Sequence, residues 1–291
     1  MLLHAALPSS PPERAVSETS APIGVFDSGL GGLSVLRAVR TALPHEPLVY
    51  VADSLYAPYG ERDDDFIVDR TMAIGEWLVA RGAKALVVAC NTATAQSIAL
   101  VRERLAIPLI GVEPGVKPAA LVSKTRVVGV LATAVTLRSL RFQALLDRYA
   151  ADCRFICQPG HGLVQAVERC DTNSPELIAL LASHLQPMLD AGADTLVLGC
   201  THYPFLDEAI RSIAGDRLRI VDTSIAIARQ LERQLNAHGL RSASASAIVP
   251  RFYSTADGES QRQLAASLLG IEARVEHVVI PSQRTRPLAS A

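Results

Sequence analysis

The chain has 291 residues, of which 49% are hydrophobic and 20% charged, so it is long enough for two domains with large buried cores. A net charge of −1 gives no electrostatic basis for binding nucleic acid or an anionic membrane, and 4% aromatic content argues against a stacking surface for single strands. The five cysteines include no C-x-x-C pair, which is typical of a reducing cytoplasm and not of a disulfide-bonded secreted protein.

The two ends of the chain differ in composition from the rest. Residues 1–21 are rich in Pro, Ser and Ala, and we expect a disordered extension there. Their apolar run is too short for a secretory signal and lacks its basic start, and no later stretch approaches a membrane span. Residues 282–291 are expected to form a loose C-terminus. The sequence therefore predicts a cytoplasmic protein that does not contact a membrane.

Strands and helices alternate through the first hundred residues after this extension. The apolar runs predict strands at 23–26, 48–52, 85–89 and 109–112, and the helical periodicity predicts helices at 33–41, 65–80 and 94–105. Alternation of this kind predicts parallel sheets covered by helices on both faces.

The pattern then restarts, which indicates a duplicated α/β unit. Residues 127–133 resemble residues 22–28, with Gly129 in the place of Gly24. A tail follows, with a helix predicted at 225–238, a polar loop at 242–247, and strands at 251–253 and 275–280.

Two cysteines stand in matching frames, one in each half of the chain. Cys90 directly follows the predicted strand 85–89, and Cys200 directly follows a second apolar run, 195–199. Open α/β sheets bind ligands at the carboxyl ends of their strands. A free cysteine is more often a small buried apolar residue, but the equivalent positions of these two favour a site with one sulfur on each side of a substrate.

Polar residues follow both cysteines and support that interpretation. Asn91 and Thr92 come after Cys90, and Thr201 and His202 come after Cys200. Such side chains at helix starts can hold a carboxylate, because free backbone N–H groups there already favour anions.

A glycine-rich loop follows the first strand, and its sequence is Asp27-Ser28-Gly-Leu-Gly-Gly. It lacks the last glycine of a dinucleotide fingerprint, and Asp27 would repel a pyrophosphate, so nucleotide binding is weakly supported. Two alternatives remain: the loop presents Asp27 and Ser28 to an amine or a carboxylate, or Asp27 only caps the next helix. Pro58-Tyr59-Gly60 follows the second strand, either as a structural turn or as a wall of the pocket.

Two opposed thiols have a specific chemical use. The α-hydrogen of an amino acid is inverted when one group removes it from one face and another returns a proton on the other face. A thiol pKa is typically about 8.5 and falls beside helix starts or a histidine, so a thiolate is accessible near neutral pH. We expect Asp27 and His202 to assist proton movement at the two sulfurs.

Together these residues resemble the glutamate racemases of the cofactor-independent aspartate/glutamate racemase superfamily. The resemblance runs from about residue 23 to residue 229, and the motifs that carry it are specific as a set. They are 26–32 (FDSGLGG), 58–60 (PYG), 89–93 (ACNTA), 198–204 (LGCTHYP) and 221–222 (VD), with Glu168 as a further family position.

The resemblance implies interconversion of L- and D-glutamate without pyridoxal phosphate, and this reaction supplies D-glutamate for peptidoglycan synthesis. No metal is expected either, because Cys153 and Cys157 have no companion histidine pair at zinc-site spacing. It implies that Cys90 and Cys200 exchange acid and base roles with the direction of reaction. It also implies that the substrate is lined by these four pairs: Asp27 and Ser28, Tyr59 and Gly60, Asn91 and Thr92, and Thr201 and His202.

The same resemblance implies two α/β domains facing each other across a cleft, 22–114 with 225–281 and 115–224. Some relatives with N-terminal extensions are activated by a muramoyl-peptide precursor, and a homodimer is a further expectation. Two rival hypotheses stay open: a racemase for aspartate or a related amino acid, and a non-catalytic amino-acid- or nucleotide-binding protein. The non-catalytic hypothesis gives the paired cysteines no role.

Overall fold

Two all-parallel sheets organise the computed structural model, which describes residues 18–283. The strands, in chain order, are β1 (Ile23–Asp27), β2 (Leu48–Ala52), β3 (Ala85–Val88), β4 (Leu109–Gly111), β5 (Val127–Ala132), β6 (Arg154–Pro159), β7 (Thr195–Gly199), β8 (Arg219–Val221), β9 (Arg251–Ser254) and β10 (Val275–His277). The first sheet has the order β10-β9-β2-β1-β3-β4, and the second has the order β6-β5-β7-β8.

The second sheet repeats the order of the four strands β2-β1-β3-β4. Gly24 on β1 pairs with Val49 and Leu86 on its two neighbours. Gly129 on β5 occupies the equivalent central position, between Ile156 and Leu196. The predicted fold class is therefore confirmed: the chain has two pseudo-symmetric, doubly wound parallel sheets.

Helices connect these strands and cover the sheets. They are α1 (Leu33–Ala42), α2 (Asp64–Ala80), α3 (Asn91–Arg104), α4 (Val116–Val122), α5 (Ala134–Arg138), α6 (Leu140–Asp147), α7 (Leu163–Glu168), α8 (Pro175–Asp190), α9 (Asp207–Ala214), α10 (Ser224–Ala237) and α11 (Glu259–Leu269). Short 3-10 turns lie at Glu18–Ser20, Ser54–Tyr56, Tyr59–Glu61, Tyr203–Leu206 and Gly215–Arg217. In this described part of the chain, no helix is both long and apolar enough to cross a membrane.

Local sequence explains where several of these helices begin. The Asp63 carboxylate accepts the Phe66 N–H at 2.8 Å, which caps α2, and acidic residues follow in its first turn. Ser174 caps α8 in the same way, with Pro175 at the first helical position. The α3 helix begins three residues earlier than predicted, because Cys90 takes the N-cap position and places Asn91 in the first turn.

The tail returns to the first sheet. Strand β9 pairs with β2, and β10 pairs with β9. Ile227, Leu231 and Leu235 on α10 are buried in the same apolar cluster as residues of β1 and α1. This placement supports the predicted boundaries 22–114 with 225–281 and 115–224, which remain a proposal at the level of single residues.

The chain crosses between the two sheets at two neighbouring points. One crossing follows β4 and the other follows β8, and Gly115 of the first lies against Val221 and Thr223 of the second. A Cβ at Gly115 would stand 2.7 Å from a Val221 methyl group. The second sheet is thus joined to the first through a pair of adjacent connections.

The residues next to each predicted loose end, 18–21 and 282–283, are more ordered than predicted. Residues 18–21, assigned to the extension, include a 3-10 turn whose Thr19 carbonyl accepts the Lys84 ammonium at 2.6 Å. Ser282, assigned to the loose C-terminus, is buried, and the Gln283 N–H bonds Asp69. The rest of both assignments, residues 1–17 and 284–291, lies outside the described part of the chain.

Candidate functional site

The predicted site residues converge where the carboxyl edges of the two sheets face each other. Thr201, after β7, donates its hydroxyl to Asp27 at the end of β1, at 3.3 Å. On another part of the same face, the hydroxyls of Thr92 and Thr133 are 2.8 Å apart. Parallel strands bring their carboxyl ends to one edge, so the polar residues after each strand form a single interdomain cleft.

Cys90 lies at the N-terminus of the fourteen-residue helix α3. Its sulfur accepts the Ala93 N–H at 3.5 Å and lies 3.4 Å from the Ser28 hydroxyl oxygen. Burial raises the pKa of the Cys90 thiol, and negative charges on Asp27 and Cys200 raise it further. The thiol form of Cys90 is therefore favoured in the closed site, and the charge on Cys200 is close enough to affect it.

Cys200 lies beside a charged pair from its own domain. The Cys200 sulfur is 3.7 Å from His202 Nδ1, and His202 Nε2 is 2.6 Å from Glu168 Oε1. Burial lowers the pKa of His202, but the hydrogen bonds to Cys200 and Glu168 outweigh it, so that pKa is raised well above its usual value. The imidazolium form of His202 stabilises negative charge on the Cys200 sulfur.

Asp27 joins the two halves of the site. Its Oδ2 accepts the N–H groups of Gly29 and Gly32 at 3.2 and 3.1 Å, while its Oδ1 accepts the Thr201 hydroxyl. Burial raises the pKa of Asp27 against the opposing effects of His202 and the Gly32 N–H. Gly32 is the N-cap of α1, so Asp27 supports the start of this helix as well as facing the cleft.

The cleft is closed over both sulfurs. Cys90 is 5% exposed and Cys200 is 7% exposed. Glu168 reaches across to the first domain, where its Oε1 accepts the Leu30 N–H at 2.6 Å. At the rim, Arg138 and Asp64 pair across the cleft at 2.8 Å. In this arrangement of the two domains both sulfurs are therefore enclosed.

Tyr59 and Gly60 occupy the predicted wall, but their roles differ. The Tyr59 hydroxyl donates to Asp53 at 2.5 Å, and its ring is buried in the core of the first domain. Gly60 faces the second domain, where a Cβ would stand 2.9 Å from Thr133 Cβ. The phenol of Tyr59 is thus engaged away from the cleft, and the wall at this point consists of backbone.

Two threonines of the site are absent from the sequence-based prediction. Thr133 Oγ1 and Thr136 Oγ1 are 2.9 Å apart, and both lie within hydrogen-bond distance of Thr92. The repeat contained a signal for one of them, because aligning Gly24 with Gly129 places Thr133 opposite Ser28. No comparable signal marks Thr136, which follows Thr133 by one helical turn.

Asn91 donates to the Val112 carbonyl at 3.4 Å.

The remaining three cysteines are not among the predicted site residues. All five are free thiols; Cys153 is buried near the Ala120 carbonyl and Cys157 is exposed. Within residues 18–283 no group of three or more His, Cys, Asp or Glu side chains is arranged to hold a metal ion.

Comparison with known proteins places this site in a described family. The family model for Asp/Glu/Hydantoin racemase matches residues 30–231. A glutamate racemase of Ralstonia nicotianae is 58% identical over 274 residues, which cover 94% of this chain and 99% of the relative. The chain therefore belongs to the Asp/Glu/Hydantoin racemase family. Within that family its relatives of high identity are glutamate racemases, as the motifs had indicated.

Solved structures agree with the sequence relationship. Escherichia coli glutamate racemase in complex with L-glutamate and the activator UDP-MurNAc-ala superposes with a TM-score of 0.79 at 32% identity, covering 90% of this chain and 100% of that one. The Francisella tularensis enzyme in complex with D-glutamate also gives 0.79, at 28% identity, and covers 90% and 98%. The fold of this chain is that of the glutamate racemases.

We expect Glu168→Gln to lower the pKa of His202, because the substitution removes the carboxylate that stabilises the imidazolium. When folding raises the pKa of a histidine, its protonation stabilises the folded protein at pH values below the unfolded-state pKa of about 6.5. This stabilisation is lost as the pH rises through the folded-state pKa. The variant should therefore lose more unfolding free energy near about pH 6 than near about pH 9. NMR titration of the ring and urea unfolding at both pH values measure this.

Glu61→Gln is the matched control, since Glu61 also lies at the cleft and bonds a second-domain side chain, Gln165, at 2.5 Å. It makes no contact with His202 and should leave the histidine titration in place. An unchanged His202 titration in Glu168→Gln would show that this carboxylate does not hold the imidazolium.

Proposed function

We propose that this chain interconverts L- and D-glutamate by acid–base catalysis with Cys90 and Cys200, and so supplies D-glutamate for peptidoglycan synthesis. No pyridoxal phosphate takes part. One observation carries the proposal: equivalent strands of a duplicated unit each end in a thiol, and Asp27 of one half bonds Thr201 of the other. These contacts support a site with one sulfur on each side of the substrate, as inversion at a carbon centre requires.

The reaction needs one thiolate and one thiol at each turnover. The thiolate takes the α-proton and becomes a thiol, leaving an electron pair on the α-carbon. The opposite thiol then gives its proton to the other face of that carbon and becomes the thiolate. The two sulfurs exchange protonation states, so the enzyme starts the next turnover ready for the mirror-image substrate.

The surroundings of the two sulfurs differ. Burial and Asp27 raise the pKa of the Cys90 thiol, whereas Cys200 lies 3.7 Å from His202, whose own pKa is raised well above its usual value. Each sulfur acts as the base for one enantiomer and as the acid for the other. Asp27 and His202 are the groups that stabilise the charges formed as each proton moves.

Backbone and hydroxyl donors provide the substrate contacts. The N-terminus of α3 carries Asn91 and Thr92 and favours a carboxylate. Thr133 and Thr136 add two hydroxyls beside Thr92 from the opposite domain. Ser28, Gly60, Thr201 and His202 complete the lining, and Tyr59 contributes through its backbone.

Glutamate added to the purified protein, without any cofactor, should lose its circular dichroism signal from either enantiomer. In D₂O the α-hydrogen should exchange for deuterium during the same reaction. Aspartate is the matched substrate, because it differs by one methylene group and should react far more slowly. Loss of signal with aspartate but not with glutamate would select the rival assignment in this family, and no loss with either would overturn the proposal.

Three further expectations remain proposals. A muramoyl-peptide precursor as activator is supported by the Escherichia coli glutamate racemase, whose structure contains UDP-MurNAc-ala. A homodimer and a cytoplasmic location rest on the sequence-based reasoning alone.

A further inference from the structure

A buried arginine lies behind the substrate wall of the first domain. Arg70 on α2 and Asp53 after β2 both have fully buried side chains. The Arg70 guanidinium donates two hydrogen bonds to the Asp53 carboxylate, from Nη2 to Oδ1 at 2.7 Å and from Nε to Oδ2 at 3.0 Å. A buried ion pair is by itself weak evidence for stability, since an apolar pair of similar volume often serves as well. The Arg70–Asp53 ion pair therefore suggests a role in the shape of the site and not only in the stability of the fold.

The same carboxylate holds the loop that faces the substrate. Asp53 Oδ2 accepts the Tyr59 hydroxyl at 2.5 Å as well as the Arg70 Nε–H. Tyr59 directly precedes Gly60, whose backbone lies against Thr133 of the second domain. A continuous chain of contacts therefore runs from Arg70 through Asp53 and Tyr59 to the wall of the cleft.

Arg70 also fixes the end of the chain against this loop. Its Nη1 donates to the Ile280 carbonyl at 2.5 Å, and its guanidinium lies 4.5 Å from the centre of the Tyr56 ring. The Ile280 side chain is buried in the same apolar cluster as Tyr59. One planar cation thus joins the end of β2, the loop 54–60 and the returning tail. Only a guanidinium offers enough donors in a fixed plane to do this.

We propose that Arg70 is a positioning residue, which acts through Asp53 and Tyr59 to hold Gly60 at the distance that glutamate binding requires. The inference rests on the proposed function, since its effect is on the binding of glutamate. Arg70 itself touches no substrate, because it is fully enclosed between α2, β2 and the tail. The requirement is geometric: a wall that moves by a fraction of an ångström loses its fit to the substrate.

Arg70→Lys keeps the positive charge but cannot form the bidentate pair of hydrogen bonds with the Asp53 carboxylate. Tyr59→Phe removes only the hydroxyl at the other end of the same chain of contacts. We expect each variant to raise the KM for glutamate about tenfold with little change in kcat. The double variant should show no more than the larger single effect, because both changes interrupt one connection. Circular dichroism assays with both enantiomers measure these constants, and thermal unfolding measures Tm.

Lys84→Met is the matched control. Lys84 pairs with Glu46 at 2.6 Å, this pair is also buried in the first domain, and Lys84 precedes β3 at the opposite edge of the sheet from the cleft. The control should lower Tm and leave KM unchanged. A normal KM in both Tyr59→Phe and Arg70→Lys overturns the inference, and so does a rise in KM that the control reproduces. If Arg70→Lys does not fold, Tyr59→Phe decides by itself. An inactive wild-type protein would instead contradict the proposed function.

Discussion

Replacing either Cys90 or Cys200 with serine lowers glutamate racemisation by about 10²- to 10⁴-fold, the range that a positioned acid–base group contributes. A serine hydroxyl occupies nearly the same space but does not ionise near neutral pH, so one of the two proton transfers fails in each variant. Both directions of the reaction fail, because each sulfur acts in both. Loss of circular dichroism from L- and D-glutamate, measured separately, checks this result.

Cys153→Ser is the control for this pair of variants. Cys153 is also buried and free, but it lies in the apolar cluster of the second sheet and outside the cleft. Its replacement should leave kcat and KM unchanged. Full activity in Cys90→Ser or in Cys200→Ser would exclude the two-sulfur mechanism, whichever of them retained it.

Gly31→Ala should reduce kcat/KM by about 10²-fold without unfolding the protein. The added Cβ would stand 2.3 Å from His202 Nδ1 and 2.5 Å from the Thr201 hydroxyl. Both neighbours are buried and belong to the opposite domain, so the cleft closes only if the loop or the ring moves. Gly31 does not have a positive φ, and the substitution therefore tests space alone. Racemisation rates and Tm together measure the effect.

Gly75→Ala provides the comparison for this substitution. Its Cβ would meet the end of the Leu105 side chain at 2.8 Å, in a contact confined to the first domain. A leucine terminus can turn aside, and alanine favours the helix in which Gly75 lies. Activity should be retained. Normal activity in Gly31→Ala would mean that the closed contact between this loop and His202 is not needed for catalysis.

The sequence was sufficient for the architecture and for the position of two cysteines after equivalent strands, because both leave local signals. Buried parallel strands are apolar runs, and the repeat placed Cys90 and Cys200 at equivalent strand ends. Strand β6 was not predicted, since it is an edge strand that is partly exposed and has only a short apolar run between polar residues. The extent of α3 was missed because a cysteine is an unusual N-cap.

The interdomain contacts could not be predicted in the same way. Glu168 was identified only through the family resemblance, and its bonds to His202 and to the Leu30 N–H depend on how the two sheets face each other. Arg70 carried no signal at all, because a charged residue in a helix of mixed polarity is expected to be exposed. Its burial follows from the tail that covers it, which lies more than two hundred residues away in the sequence.

The two connections between the domains lie side by side at Gly115 and Val221, so we expect the second domain to rotate about this point. In the proposed mechanism, a rotation that admits glutamate also carries Cys200 away from Cys90, so substrate exchange and proton transfer belong to different conformations. Turnover can then be no faster than the hinge opens. Mutations near these crossings should alter the maximal rate although they lie far from either sulfur.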